Sequence, residues 1–160
     1  MLRRLNTLIR DTTGADVIEA AIATPLLLLL TFGIIDFAWM FHVYLALENG
    51  VSQATRFAIT GNTMDDPDNP GTPLSAGAAI KAKMQELTPS IDMDEVTFTY
   101  THMSPGSSSW TNGAGGPGDI GRVSVQYTWT PLTPILYPFL TNGQLTVHAE
   151  SAMKNESEWQ

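Results

Sequence analysis

The sequence predicts an α+β chain: one long N-terminal helix, transmembrane first and amphipathic later, packed on a small three-stranded antiparallel sheet with one short helix. Three observations predict it. Residues 20–35 carry no charged side chain, and a second apolar run, residues 37–47, follows Asp36. Residues 75–87 place apolar side chains at helical spacing. Three later segments, 95–102, 120–130 and 144–153, alternate apolar and polar residues, as strands with one buried face do.

A bilayer core takes about 20 mostly apolar residues in a helix, and residues 14–60 supply that and then continue as a more polar helix. Past Glu48, Val51, Ala54 and Ala58 recur at three- and four-residue spacing, with Phe57 flanking. Gly50 weakens the helix locally, and Gly61-Asn62 forms its C-cap. Pro25 removes the bond to the Ala21 carbonyl and is a kink position. Trp39 and Tyr44 suit an aromatic belt at the outer interface, with His42 an interfacial side chain beside them.

Residues 62–74, rich in Pro, Asp and Asn, read as a loop. Asp65, Asp66, Asp68 and Asn69 could gather oxygens for calcium, but the spacing departs from an EF-hand loop and no Glu closes it, so a solvated acidic turn is expected. In the short helix Ser75 is the N-cap, Ala79, Ile80, Met84 and Leu87 make the apolar face, and Thr88-Pro89 is the stop. In the strands, Val96, Phe98 and Tyr100, then Val123, Val125, Tyr127 and Trp129, then Leu145, Val147 and Ala149 share the inner face. The segment 103–119 reads as a mobile Gly/Ser loop with a loosely packed Trp110. Residues 131–140, broken by three prolines, are apolar without a period and are expected to cover the sheet end or form a contact surface.

The 160 residues carry a formal net charge of -8 and no cysteine. The acidity argues against nucleic acid as a partner, and the missing thiols exclude disulfides and thiolate metal sites. Arg3, Arg4 and Arg10 precede the apolar run, whereas most carboxylates follow Leu47. The positive-inside rule then places the N-terminus in the cytoplasm and the C-terminal domain outside. The organisation expected is a leader over residues 1–14, the helix over 15–60 and an extracytoplasmic α+β domain over 61–160.

Two acids mark the apolar helix. Glu19 stands at its inner edge, where a carboxylate is costly unless it is wet or paired. Asp36 lies seventeen residues on, about 25 Å along a straight helix. It is a second membrane-edge acid, read as wet at the outer interface, with helix–helix pairing as the alternative.

Gly14-Ala15-Asp16-Val17-Ile18-Glu19 resembles a prepilin peptidase site of the type IV pilin superfamily. Residues 19–29, Gly33-Ile34-Ile35-Asp36-Phe37 and Ala54-Thr55-Arg56-Phe57-Ala58 are similar to the TadE-like pseudopilins of the Tad (Flp-type) pilus. The resemblance covers roughly residues 14–60. It implies cleavage between Gly14 and Ala15 and pairing of Glu19 with the freed amine of a neighbouring subunit. It also implies a pilin-like fold and a minor-pilin role in pilus initiation, anchoring or tip formation, serving adhesion or secretion. The implied partners are other pilin or pseudopilin subunits, the prepilin peptidase, an assembly platform in the bacterial inner membrane, and membrane lipid.

No convincing catalytic constellation emerges, and neither a catalytic residue nor a cofactor or metal is expected. His102 and His148 with Glu150 suggest zinc only if the two strands are neighbours, and solvent-facing strand histidines are the commoner case. Ser107, Ser108 and Ser109 sit in the Gly-rich loop, a poor place to preorganise a nucleophile. Two other readings stand beside the pilin one: a single-span anchored binding module with an uncleaved signal anchor, and a membrane-anchored metal enzyme.

Overall fold

The computed structural model of the chain describes residues 13–156. Helix α1, Thr13–Ile59, runs unbroken for 47 residues, about 70 Å at 1.5 Å per residue. It continues through Pro25, and Gly61, at φ 69°, donates its N–H to the Ala58 carbonyl at its end. The Ile59 carbonyl, orphaned by the helix end, accepts the N–H of Glu156 at 3.0 Å.

The two halves of α1 behave differently. Gly14 to Phe32 is exposed throughout, and none of its most apolar stretch is buried. From Asp36 onward a stripe goes inward: Asp36, Val43, Leu47, Val51 and Ala54 are buried. The spacing of three, four and seven is one face of a helix.

That stripe packs on a sheet and a second helix. Strands β1 (Asp65–Asp66) and β2 (Asn69–Pro73) form a hairpin. Helix α2, Ala76–Leu87, follows, with the Ser75 hydroxyl accepting the Ala78 N–H at 3.4 Å. Then come β3 (Val96–Met103), β4 (Thr111–Asn112), β5 (Ile120–Trp129) and β6 (Leu145–Lys154). Two 3-10 turns, Pro134–Phe139 and Thr141–Gly143, join β5 to β6. The main sheet has the order β4-β3-β5-β6 and is antiparallel throughout.

The α+β class and the long helix agree with the sequence reading. The sheet does not: a single three-stranded sheet was expected, and the fold has a four-stranded sheet plus a separate two-stranded hairpin. Both additions come from segments read as loops. The hairpin tolerates Pro70 and Pro73 because β2 has only one partner, which leaves a side where a missing N–H costs nothing. β4 is a two-residue edge strand paired with Thr101 and His102, too short for an alternation pattern to reveal.

The core is shared. Val43, Leu47, Val51 and Ala54 of α1 meet Ile80 and Met84 of α2, Val96 of β3, Val123, Val125 and Trp129 of β5, and Val147 and Ala149 of β6. Each fully buried aliphatic side chain contributes about 1.5–3 kcal/mol, so the C-terminal half of α1 is a structural member of the domain. At Gly50 the end of α2 comes close to α1: an added Cβ would stand 2.8 Å from Thr88 Cγ2 and 3.3 Å from the Met84 side chain.

Candidate functional site

Gly14, Ala15 and Glu19 lie in the first turns of α1, all exposed, and among the described residues no sheet or loop covers them. Ala15 and Glu19 are four residues apart, one helical turn on the same face. The leader residues 1–12 lie outside the described residues. Pro25 stands in the exposed half, where Thr31 Oγ1 returns a bond to the Leu27 carbonyl at 2.8 Å. That local bond satisfies a hydroxyl in an apolar stretch.

At Asp36 the structure departs from the sequence reading. The side chain is not wet; it is fully buried at 0 % exposure. Its Oδ1 accepts the Leu132 N–H at 2.8 Å, and its Oδ2 accepts the Thr133 N–H at 3.3 Å and the Thr133 hydroxyl. Three donors converge on one carboxylate, and no salt bridge to it is formed among the described residues. Hydrogen bonds to a charged group are worth about 1.5–3 kcal/mol each, and this set fastens the β5–β6 connection to the middle of α1. The seam between the exposed apolar half of the helix and its packed half lies at this residue.

The aromatic residues near the seam also have a definite arrangement. Trp39 and His42 have ring centroids 5.3 Å apart, and the Tyr44 hydroxyl donates to Glu48 Oε1 at 3.0 Å.

The Gly/Ser loop is built, contrary to the mobile segment expected. Arg122 lies over the Trp110 ring, with its guanidinium carbon 4.0 Å from the centroid, and its Nε donates to Thr101 Oγ1 at 3.2 Å. Asn155 is buried, and its Nδ2 donates to the carbonyls of Ala114 and Gly116 at 3.2 and 2.9 Å. Asp119 Oδ2 accepts the Gly116 N–H at 2.9 Å. Gly115 sits inside this knot at φ +72°, with no room for a Cβ against Asp119 Oδ2 and His102 Cβ, each 2.7 Å away. Trp110, Asp119 and Asn155 were missed as organisers. The partners of Trp110 and Asn155 lie in other segments of the chain, whereas Asp119, at the loop's end, bonds locally to the Gly116 N–H.

Strand order separates the two histidines considered for zinc. β5 lies between the strands of His102 and His148: His102 pairs with Gly121 and His148 with Gln126. His102 Nδ1 instead lies 3.2 Å from the Gly113 carbonyl. Among the described residues, no three His, Asp or Glu side chains form a metal-holding group. In the acidic turn, Asp66 is engaged by its own hairpin. Asn69 Nδ2 donates to Oδ2 at 3.1 Å and the Asp68 N–H to Oδ1 at 2.9 Å. These bonds, Asn69 first, hold its carboxyl below the usual carboxylate range.

Helix α1 is the one helix among the described residues long and apolar enough to cross a membrane. Because that stretch is exposed rather than packed, it is not the core helix of the domain it leads into. The family model described as TadE-like protein matches residues 14–56. No curated protein and no solved structure matches the chain. The matched segment begins at Gly14, contains Glu19, Pro25 and Asp36, and stops within the last turn of α1, before the sheet begins. Over residues 14–56 the chain is similar to the TadE-like protein family.

Proposed function

We propose that this protein is a minor pilin or pseudopilin, a structural subunit of a Tad-type pilus that takes part in initiation, anchoring or tip formation. In this reading it spans the bacterial inner membrane once, with the N-terminus cytoplasmic and the sheet domain outside. Prepilin peptidase cuts it between Gly14 and Ala15. The subunit then joins other pilins through the exposed half of α1, delivered by an assembly platform, and serves adhesion or secretion. It acts by packing rather than by catalysis.

The observation that carries the reading is an apolar helix that projects beyond its own domain with Glu19 near its tip, inside a TadE-like match. A carboxylate in that position needs a partner once it enters lipid. The amine freed at Ala15 of an adjacent subunit is such a partner, and pairing sets the stagger between helices. The length of the added domain favours a minor subunit, because the family's major pilins are very short. Ala20, where those major pilins carry an aromatic residue, favours it too.

Intact mass and N-terminal sequencing of protein from its native membrane test the reading. A chain starting at Ala15 is expected. A chain starting at Met1 removes the partner amine and leaves an anchored binding module as the working function.

A further inference from the structure

We propose that the β5–β6 connection, residues 131–145, is a second membrane contact, which dips into the outer headgroup region beside α1 and faces lipid. The proposal rests on α1 spanning the bilayer.

The first argument is depth. The connection leaves β5 at the Asp36 clamp, where Leu132 and Thr133 donate to the carboxylate. It returns at Leu145, which lines a recess with Met40, Phe41 and Tyr44. Both ends therefore lie alongside residues 36–44 of the helix, a band of about 12 Å. With Glu19 at the inner edge, Asp36 lies about 25 Å further along, close to the far boundary of a hydrocarbon core about 30 Å thick. The connection is thus held at the level where the helix leaves the hydrocarbon.

The second argument is chemistry. Residues 123–149 contain no Asp, Glu, Lys or Arg. Leu132 is 68 % exposed and Phe139 77 % exposed, with Tyr137 also at the surface. On α1, Ile35, Phe37 and Phe41, in the same stretch of the helix as Asp36, are exposed as well. Tyrosine is a preferred side chain at the headgroup level.

The third argument is the backbone. Irregular chain near lipid is expensive because its N–H groups need acceptors. Pro131, Pro134 and Pro138 have no N–H to satisfy. The Leu132 and Thr133 N–H groups are taken by Asp36. Those of Leu136, Leu140, Gly143 and Gln144 bond within the 3-10 turns. Exposed leucine and phenylalanine on a segment with so few free donors suit a lipid boundary better than water. The Asp36 carboxylate is the acceptor that makes the descent affordable.

The chain has no cysteine, so single labels are placed without background. The full chain is reconstituted in vesicles of phosphatidylethanolamine and phosphatidylglycerol. Nitroxides are attached to Leu28→Cys in the span, to Leu132→Cys and Phe139→Cys in the connection, and to Ser107→Cys in the loop after β3. Collisions with oxygen, which concentrates in lipid, are compared with those of a water-soluble nickel chelate. The expected result is oxygen dominating several-fold at 28, 132 and 139, and the chelate dominating at 107. Oxygen dominance at 28 with chelate dominance at 132 and 139 overturns this proposal and leaves the span standing. Chelate dominance at 28 as well overturns both. Protection of 139 from both reagents also overturns it, and assigns that face to a second copy of the chain.

Discussion

Asp36 concentrates the physics of the molecule into one side chain. Its carboxylate is buried and is balanced by hydrogen-bond donors from residues almost a hundred positions away, with no salt bridge among the described residues. Asp36→Asn replaces one acceptor oxygen with a donor amide that faces an N–H. The expected loss is about 2 kcal/mol of domain stability, read as a lower denaturation midpoint of the full chain in detergent micelles. Thr133→Val removes only the hydroxyl donor and is expected to cost about 1 kcal/mol. The acid itself was legible in the sequence, as a charge that interrupts two apolar runs. Its burial was not, because periodicity reports local geometry, and the donors arrive from the far side of β5. Glu19 has the opposite character: it stands exposed on a part of the helix that the domain does not touch. Glu19→Ala is therefore expected to leave the denaturation midpoint unchanged while abolishing pilus incorporation, which immunoblotting of sheared pili checks. Normal incorporation would count against the pairing role.

At the level of elements, the close approach of α1 and α2 depends on Gly50. Alanine is favoured over glycine in a helix by about 1 kcal/mol, yet Gly50→Ala drives a Cβ to 2.8 Å from Thr88 Cγ2. Thr88 cannot easily yield: it is buried, and its hydroxyl is bonded to the Met84 carbonyl at 2.7 Å. Overpacking costs about 1–3 kcal/mol, so the expected net effect is destabilising, visible as a lower urea midpoint. An increase in stability would show that the helices separate freely. A second tie links α2 to the turn before β3, where Lys81 donates to Asp94 at 2.7 Å and holds its carboxyl below the usual carboxylate range. A lowered folded value means that the tie stabilises above the unfolded pKa and is lost as pH falls through the folded one. The contribution is small because both groups are exposed. Carbon-13 titration of the Asp94 carboxyl should show a midpoint below about 3.9, returning toward it in Lys81→Gln. The three long strands were legible almost to their ends, because each buries one face and so alternates. The hairpin and β4 were not, since they are short, and in β2 the prolines mask strand character. The Gly/Ser loop read as mobile from composition, whereas Asn155 holds it from 41 residues away, a contact that no local pattern reveals, and Asp119 adds a local bond to Gly116.

For the whole molecule, residue 60 is where the helix ends but not where the folded unit begins. Val43, Leu47, Val51 and Ala54 supply one wall of the core. A fragment of residues 61–160 is expected to lack cooperative unfolding, whereas a fragment of residues 36–160 retains it, as circular dichroism with heating would show. Cooperative unfolding of the shorter fragment would mean that the sheet and α2 suffice. The TadE-like match crosses this seam, covering both the exposed half of α1 and most of the packed half.

Pro25 lies eleven positions before Asp36, in the stretch of α1 that the domain leaves bare. Among the described residues, buried side chains on α1 start at the clamp, so a change of bend at Pro25 disturbs none of them. On the proposed function, a bend at Pro25 would let the bare half of α1 lean to follow neighbouring helices while the domain keeps its attitude. Pro25→Ala, which restores the backbone bond there, is expected to pass any tilt of that half more directly to the sheet.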